Sequence, residues 1–411
     1  MELWEKNLYT LWSAQFIAVS GLSMVVPFFP LYLKELGVAD PERVKIWSGL
    51  LFAAPFMVAT FLQPIWGILG DRYGRKSMVI RGMVGMGLAN ILMGFARTAP
   101  QLMLLRLFQG SVAGFMAPSL ALLSSCVPEN KTGQALGTLQ SSIVMGMTIG
   151  PLLGGLMAHF MGYRLIFFWT GSFCFAASAI VFLFAEENFI RKGREGKSRL
   201  RENIRYVFQS SDLRVIFLFI IIVQFSIQIV NPFLSLYVEL LKFPEAYLGL
   251  MTGFVFGVTG VTNALTAPFW GRRGDRMGYG KILTTCFLGM TLVYLPQAFV
   301  TDAFQLLILR AGLGVFVAGV MPTVNTLVQR HTEEKNRGGI YGIFQSGLLV
   351  GNMAGPLIGG ILSAALGLRA IFLITTGMIF LVLCGHRRMP PPSGRPPTGG
   401  RGSDAEKSAQ P

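Results

Sequence analysis

A charged turn, Gly67-Ile68-Leu69-Gly70-Asp71-Arg72-Tyr73-Gly74-Arg75-Lys76, joins two long apolar runs in the first half of the chain. A modified copy of this turn begins 204 positions later. It reads Gly271-Arg272-Arg273-Gly274-Asp275-Arg276-Met277-Gly278-Tyr279-Gly280-Lys281. Each copy has glycines suited to a tight turn and one Asp with basic residues close by. A single turn of this kind is common in solvated loops. Two copies at matched places indicate a duplicated architecture.

The composition is that of a membrane protein. Of 411 residues, 52% are apolar and only 13% are charged, whereas a soluble chain has roughly a quarter charged residues. Apolar runs long enough to cross a bilayer recur from end to end. The sequence therefore predicts an all-α polytopic membrane protein with twelve transmembrane helices. Their predicted extents are 8–33, 45–69, 77–97, 100–126, 134–160, 163–185, 213–238, 247–270, 281–301, 302–328, 338–364 and 368–386.

The helices fall into two groups of six. We predict an N-terminal six-helix bundle over 1–185, a cytoplasmic linker over 186–212, a C-terminal six-helix bundle over 213–388 and a disordered cytoplasmic tail over 389–411. Within the linker, Leu200 to Phe208 could form an amphipathic helix at the lipid surface, or the whole linker could be solvated.

Further matched stretches support the duplication. Leu105-Arg106 corresponds to Leu309-Arg310, and Gly146-x-x-x-Gly150-Pro151-x-x-Gly154-Gly155 corresponds to Gly351-x-x-x-Gly355-Pro356-x-x-Gly359-Gly360. Two pseudo-symmetric six-helix bundles are typical of transporters whose central site lies between halves that rock alternately.

The net charge of +15 does not indicate nucleic-acid binding, because the charges lie in short loops. Of the 35 Lys and Arg residues, 26 fall before the first span, in the even-numbered loops or in the tail, and 7 fall in the odd-numbered loops. The positive-inside rule places both termini in the cytoplasm.

The sequence lacks the signatures of an enzyme. Its four cysteines have no paired spacing, its three histidines are scattered, and it has no Gly-x-Ser-x-Gly turn. A phosphate-binding loop is also missing, since the stretch Gly193–Ser198 lacks the required first glycine and a preceding strand. We expect no enzymatic activity, no metal and no cofactor.

These motifs resemble those of the major facilitator superfamily. The turn after helix 2, the intramembrane Arg106 and the Gly-Pro-Gly-Gly pattern of helix 5 are similar to its signature motifs, and the helix 5 pattern is associated with twelve-helix drug–proton antiporters. Trp47-Ser48-Gly49 and Gln134–Leu139 are similar to bacterial multidrug efflux proteins.

This resemblance implies a monomeric, multi-pass exporter of small amphiphilic compounds in the inner membrane of a bacterium. Its energy source would be the proton gradient, its mechanism antiport with alternating access, and its partners a small-molecule substrate and the lipid bilayer. Importing a sugar or another metabolite, or acting as a non-transporting sensor or scaffold on the same fold, are the alternatives.

The resemblance also implies that the charged turn is a conformational latch. The Asp71 carboxylate would meet the N-terminal end of helix 11, stabilised by the helix dipole, and hold the cytoplasmic side closed. Arg75 would orient Asp71, and Arg72 would anchor to lipid headgroups. The other predicted latch residues are Gly67, Gly70, Gly74 and, in the second copy, Asp275.

Small residues predict a close contact between helices 5 and 8, which meet across the halves in this family. We expect the helix 5 residues to form one smooth face that slides against a glycine face of helix 8; ordinary membrane packing is the alternative. The residues of this predicted gate are Gly146, Gly150, Pro151, Gly154, Gly155, Gly249, Gly253 and Gly257.

Polar residues inside the spans are candidates for substrate binding and proton coupling. A charge within the membrane is costly, so Arg106 and Arg310 are functional candidates unless they extend outward to the headgroups. We assign Arg106 and Asp71 to coupling. The predicted substrate-binding residues are Gln15, Ser20, Gln109, Gln224, Gln228, Asn231, Asn325 and Arg310, with interhelical hydrogen bonding as the alternative for each polar residue.

No Asp or Glu lies in the middle of any predicted span. A cavity that has arginine but no carboxylate is a poor site for lipophilic cations. We therefore expect substrates that are neutral or anionic.

Overall fold

The computed structural model describes residues 2–187, 200–330, 332 and 337–386, and within these ranges it is helical, with no strand. Twelve consecutive helical segments in these ranges correspond to the twelve predicted spans. Eleven helices are long and apolar enough to cross a membrane. Tyr279–Gln297 is the segment outside that set.

The first bundle contains six segments, which we label α1 to α6. They are α1 (Leu3–Val25, continued as Phe29–Glu35), α2 (Pro41–Tyr73), α3 (Arg75–Gly94), α4 (Ala99–Val112, continued as Met116–Ser124), α5 (Thr132–Met161) and α6 (Tyr163–Phe184).

The second bundle repeats this order with segments α7 to α12. They are α7 (Ser211–Gln228, continued as Leu234–Leu240), α8 (Leu248–Met277), α9 (Tyr279–Gln297), α10 (Ala303–Val317, continued as Val320–Arg330), α11 (Arg337–Leu366) and α12 (Leu368–His386). A separate helix, Leu200–Gln209, precedes α7 and is called the linker helix. The predicted tail, 389–411, lies outside the described residues.

The first helix of each bundle bends at an equivalent proline. Pro27 and Pro232 each open a short 3-10 turn between the two parts of α1 and of α7. Proline removes a backbone donor and cannot continue an α-helix undisturbed. The same bend at matched positions agrees with a duplicated ancestor.

Helix-ending glycines set the short connections. Gly74 has φ +91° and Gly278 has φ +89°, a region open mainly to glycine. Each glycine ends one helix and begins the next without a longer loop. The two copies of the charged turn therefore adopt the same tight connection.

We name the two faces of the bundle for orientation. The linker face carries Leu3, Tyr73 and the linker helix; the opposite face carries Glu35 and Pro41. Because the segments alternate in direction, α2 and α8 begin at the opposite face, whereas α5 and α11 begin at the linker face.

Candidate functional site

The two bundles contact each other closely where α5 crosses α8. A Cβ placed on Gly155 would lie 3.0 Å from the Cα of Gly253, and one on Gly253 would lie 2.6 Å from the carbonyl oxygen of Pro151. Gly249 packs on Ala158 and Gly257 on Leu152 in the same way. The predicted contact between helices 5 and 8 therefore exists, and it lies toward the opposite face.

A second contact of the same kind joins α2 to α11. A Cβ on Gly49 would lie 2.4 Å from the carbonyl oxygen of Pro356, and one on Gly360 would lie 3.3 Å from the Cα of Gly49. Gly49 is the repeat equivalent of Gly253, and Gly360 that of Gly155. This contact was not predicted from the sequence, although the match of Gly49 to Gly253 across the two halves indicates it.

The predicted single face on helix 5 is wrong. Gly146, Gly150 and Gly154 pack against α1 within the first bundle, where added Cβ atoms would meet Val19, Ser20, Ser23 and Met24. Gly155 and the Pro151 carbonyl face α8. Because 146, 150 and 154 recur every four residues, they form one stripe on the helix, and Gly155 lies about 100° around from Gly154.

At the linker face, each of the same four helices carries a glycine in line with its contact glycine and clear of the other described residues. Among the described residues, apart from the helix's own backbone and the chain neighbours, no atom lies within 4 Å of a Cβ placed on Gly67, Gly137, Gly271 or Gly342. Each is 18 residues from a contact glycine on its own helix: 49 to 67, 155 to 137, 253 to 271 and 360 to 342. Eighteen residues are five helical turns, so each pair shares one helix face about 27 Å apart. The structure is thus closed at the opposite face and open at the linker face.

Polar contacts between the bundles also lie at the opposite face. The Lys34 ammonium on α1 is 2.5 Å from a Glu239 carboxylate oxygen on α7. Because both side chains are partly exposed, this ion pair contributes little to the stability of the contact. His159, near the end of α5, has its Nδ1 2.6 Å from the Ala246 carbonyl oxygen and stacks on Tyr247 just before α8.

The charged turn is anchored by a residue that the sequence analysis missed. The Glu187 carboxylate accepts hydrogen bonds from the backbone N–H groups of Arg75 and Lys76, both at 2.8 Å. A carboxylate at a helix N-terminus is favoured by the helix dipole. Arg75 was predicted to orient Asp71; in the described part of the structure its guanidinium donates a hydrogen bond to the Ala121 carbonyl in α4.

The rest of the predicted latch is only partly described. Asp71 and Asp275 lie within α2 and α8, but their side chains lie outside the described part of the structure. Arg72 is exposed, as expected for a headgroup contact, with its guanidinium carbon 5.4 Å from the Tyr73 ring centroid. Gly70 packs on Met78 of the neighbouring helix α3.

Adjacent to Glu187, Glu186 anchors the end of α6 to the start of α1. Its backbone N–H and carbonyl form reciprocal hydrogen bonds with the Asn7 amide at 2.9 and 2.8 Å. Its carboxylate accepts a hydrogen bond from Lys6. That hydrogen bond and the Lys6 charge lower the pKa of Glu186.

Arg106 is buried inside the first bundle and has partners. Its Nε donates to the Leu51 carbonyl oxygen at 2.8 Å, its Nη1 donates to Gln109, and its guanidinium lies 4.4 Å from the centre of the Phe29 ring. In a regular helix the Leu51 carbonyl would accept from residue 55, but Pro55 has no N–H. Arg106 therefore satisfies the carbonyl that Pro55 leaves free.

Arg310 occupies the equivalent place in the second bundle but has no such carbonyl. Thr259 stands where the first half has Pro55, so the backbone N–H is retained. Arg310 is 2% exposed, and its Nε and Nη2 have no hydrogen-bond partner among the described residues. Its guanidinium carbon lies 5.9 Å from the ring centre of Tyr294, whose hydroxyl is also buried. Neither arginine extends to the headgroups.

Two predicted substrate-binding residues of α7 pack against α11 inside the second bundle. Gln224 donates to the Asn352 side chain at 2.6 Å, and Asn231 donates to Gln228 at 2.7 Å. The side chains of Gln224 and Gln228 cover Gly351 and Gly355. The interhelical alternative thus accounts for the Gln224 contact, and all three side chains remain partly exposed.

The other predicted substrate-binding residues have different surroundings. Gln15 and Ser20 are buried in the first bundle, where no described residue forms a hydrogen bond with Gln15 Oε1 or Ser20 Oγ. Gln109 is engaged by Arg106. Asn325 is exposed at the linker end of α10.

A pair of equivalent tryptophans supports the breaks in α4 and α10. Trp66 Nε1 donates to the Ser111 carbonyl at 2.8 Å, and Trp270 Nε1 donates to the Val315 carbonyl at 2.6 Å. Both carbonyls lie just before the break, and at Gly114 the break has φ +110°. These residues were also missed; their separation of 204 positions is the signal that identifies them.

Comparison with known proteins adds to this geometry. A family model described as Major Facilitator Superfamily matches residues 11–263 and 216–410. The multidrug resistance proteins MdtG of Salmonella typhimurium and Salmonella dublin are both 36% identical over 376 residues, which cover 92% of this chain and 93% of each relative.

Solved structures share the fold at low sequence identity. A bacterial homolog to the human lysosomal transporter Spinster, inward-facing and occupied, has a TM-score of 0.79 at 13% identity and covers 94% of this chain and 97% of that chain. The human organic anion transporter MFSD10 has a TM-score of 0.69 at 17% identity, covering 94% and 100%.

Proposed function

Because this chain belongs to the Major Facilitator Superfamily, we propose that it exports small amphiphilic compounds by secondary active transport with alternating access. Two features support this proposal. Relatives that match nearly its whole length are multidrug resistance proteins, and its two bundles separate at one face only.

The proposed alternating-access mechanism rests on the arrangement of eight glycines. In the described state, Gly49 meets Gly360 and Gly155 meets Gly253, while Gly67, Gly342, Gly137 and Gly271 face open space. Rocking of the bundles would separate the first two pairs and bring Gly67 to Gly342 and Gly137 to Gly271. Glycines permit backbone approach at both ends of the same helix faces, so one set of helices can close either end.

The loop charges orient this cycle. With the positive-inside rule, the linker face lies in the cytoplasm and so do both termini. The described state is then open to the cytoplasm, ready to load a compound for export. We place the chain as a multi-pass monomer in the inner membrane of a bacterium.

The charges within the spans favour neutral or anionic substrates. Arg106 and Arg310 are buried in the bundles, and the acidic residues lie at helix ends or in connections. A cationic substrate would lack a counter-charge in the membrane.

Proton antiport remains a proposal that assigns Asp71 and Arg106 to coupling. Asp71 belongs to the turn whose Gly67 is one of the four open glycines, so its protonation would affect closure of the linker face. Arg106 acts as a positioning residue, because it bonds α4 to α2 at Leu51.

The test is efflux from cells that express the chain, followed with a neutral and an anionic fluorescent compound. Export should be fast in energised cells and should fall to the empty-vector rate when a protonophore dissipates the gradient. Energy-dependent accumulation would indicate an importer. A non-transporting sensor or scaffold would move neither compound down a gradient imposed on proteoliposomes.

A further inference from the structure

The linker helix, Leu200–Gln209, exposes a mixed apolar and basic face at the linker face of the protein. One side is docked: Val207 is 0% exposed and packs with Tyr206 in the hydrophobic core around α7 and α11. The other side is not: Ile204 is 41% exposed and Phe208 is 48% exposed. Ile204 and Phe208 are one helical turn apart and so share a face.

Basic charge accompanies these apolar side chains. Arg205 is exposed between them along the helix, and Arg214 is exposed in the first turns of α7. An amphipathic helix with large apolar side chains beside arginines is suited to the plane where headgroups meet acyl chains. Each arginine near an anionic surface adds to the attraction, which a zwitterionic surface does not supply.

An aromatic path connects this helix to α11. The Phe208 ring packs edge-on against Phe217 of α7, with ring centres 5.9 Å apart, and Phe217 packs edge-on against Phe344 of α11, 5.8 Å apart. Phe344 is two residues from Gly342, one of the four open glycines at the linker face.

We propose that the linker helix binds anionic phospholipid headgroups and that this binding biases the position of α11 through the Phe208–Phe217–Phe344 contacts. Ile204 and Phe208 enter the acyl region while Arg205 and Arg214 engage the phosphates. The bias on transport rests on the proposed alternating-access function; lipid binding itself does not.

The binding test measures lipids that remain on the purified full chain by native mass spectrometry. Phosphatidylglycerol should be retained over phosphatidylcholine. Arg205→Gln should weaken phosphatidylglycerol retention about fivefold, and Ile204→Ser should also weaken it without disturbing the docked side. Arg97→Gln and Phe299→Ser, at exposed sites of the opposite face, are the matched controls and should retain lipid like the parent chain.

Equal retention of both lipids by the parent chain would overturn the proposal, as would unchanged retention in both linker-helix variants. Excess inorganic phosphate should not displace the lipid; displacement would mean that a free phosphate site had been mistaken for lipid binding.

Coupling is tested in proteoliposomes. The transport rate should depend on phosphatidylglycerol content in the parent chain and in both controls, and this dependence should be weaker in Arg205→Gln. If no variant or parent transports under any lipid, the proposed function fails while the retention result still decides lipid binding. Retention without any effect of lipid on an active transporter would overturn the coupling to α11.

Discussion

Gly360 on α11 packs directly on Gly49 of α2, so that a Cβ placed on Gly360 would lie 3.3 Å from the Cα of Gly49. Gly155 and Gly253 make the equivalent contact between α5 and α8. Two related contacts at one face, with open glycines at the other, are what a duplicated rocking bundle needs. Each can be tested by adding a methyl group.

Gly253→Ala should shift the protein away from the described state. The added methyl would meet the Pro151 carbonyl at 2.6 Å, and backbone cannot turn aside as a side chain can. Overpacking of this kind costs about 1–3 kcal/mol, which corresponds to roughly fivefold or more in the population of the state. Transport should fall accordingly. Gly377→Ala in α12, where a Cβ would meet no described residue outside its own helix within 4 Å, should transport normally. Equal loss in both variants would contradict the contact.

Arg106→Gln should destabilise the fold, and Pro55→Ala should reduce that effect. Removing the guanidinium leaves the Leu51 carbonyl without the donor 2.8 Å away, and an unsatisfied buried group costs about 1–3 kcal/mol. Alanine at position 55 restores a backbone N–H that can donate a hydrogen bond to the Leu51 carbonyl. We would compare the melting temperatures in detergent of the parent chain, the two single variants and the double variant as a double-mutant cycle. Strictly additive losses would show that Arg106 does not serve this carbonyl.

Arg310→Met should be tolerated far better than Arg106→Met. Two of the Arg310 nitrogens lack hydrogen-bond partners in the described part of the chain, and replacing buried charged groups by apolar side chains of similar size is often neutral or stabilising. The melting temperature should stay close to that of the parent chain, whereas export of an anionic compound should drop if Arg310 serves the substrate. A large loss of melting temperature would mean that Arg310 has partners essential to the fold.

Asp71→Asn should abolish transport while expression survives, because a neutral amide weakens the proposed pairing with the N-terminal end of α11. Asp275→Asn is the matched control in the second copy of the turn, where Arg273 replaces the leucine of the first copy. It should have the smaller effect. Full vectorial transport by Asp71→Asn would remove the latch from the mechanism.

Losing Glu187 should weaken the charged turn. Its carboxylate bonds the Arg75 and Lys76 amides, and a capping carboxylate contributes about 1 kcal/mol. Glu187→Ala should therefore lower the melting temperature modestly. Glu186→Ala, which removes an exposed pair with Lys6, should have less effect, since such pairs contribute little; the reverse order would contradict this assignment.

Much of the fold followed from the sequence because apolar length and duplication are local and repetitive signals. The number and order of the helices and the contact between α5 and α8 were predicted correctly. Which glycines face which neighbour was not, since Gly154 and Gly155 are adjacent in sequence yet pack against different bundles. That choice depends on helix rotation, which side-chain spacing alone leaves open.

The polar site was harder to predict for a physical reason. Within a membrane, the same amide can line a cavity or bond a neighbouring helix, and Gln224 bonds Asn352. Arg106 and Arg310 looked equivalent in sequence, but the difference between them lies at positions 55 and 259 on another helix. Only the packing of α4 on α2 and of α10 on α8 brings those positions together.

The most direct test of the alternating contacts is disulfide cross-linking at the open glycines. In a variant whose native cysteines are replaced by serine, Gly67→Cys with Gly342→Cys, and Gly137→Cys with Gly271→Cys, should form cross-links during turnover. Each cross-link should stop transport until it is reduced, whereas the mismatched pair Gly67→Cys with Gly271→Cys should not form. If neither matched pair forms while transport continues, or if the cross-linked protein transports at the full rate, the account of alternating glycine contacts is contradicted.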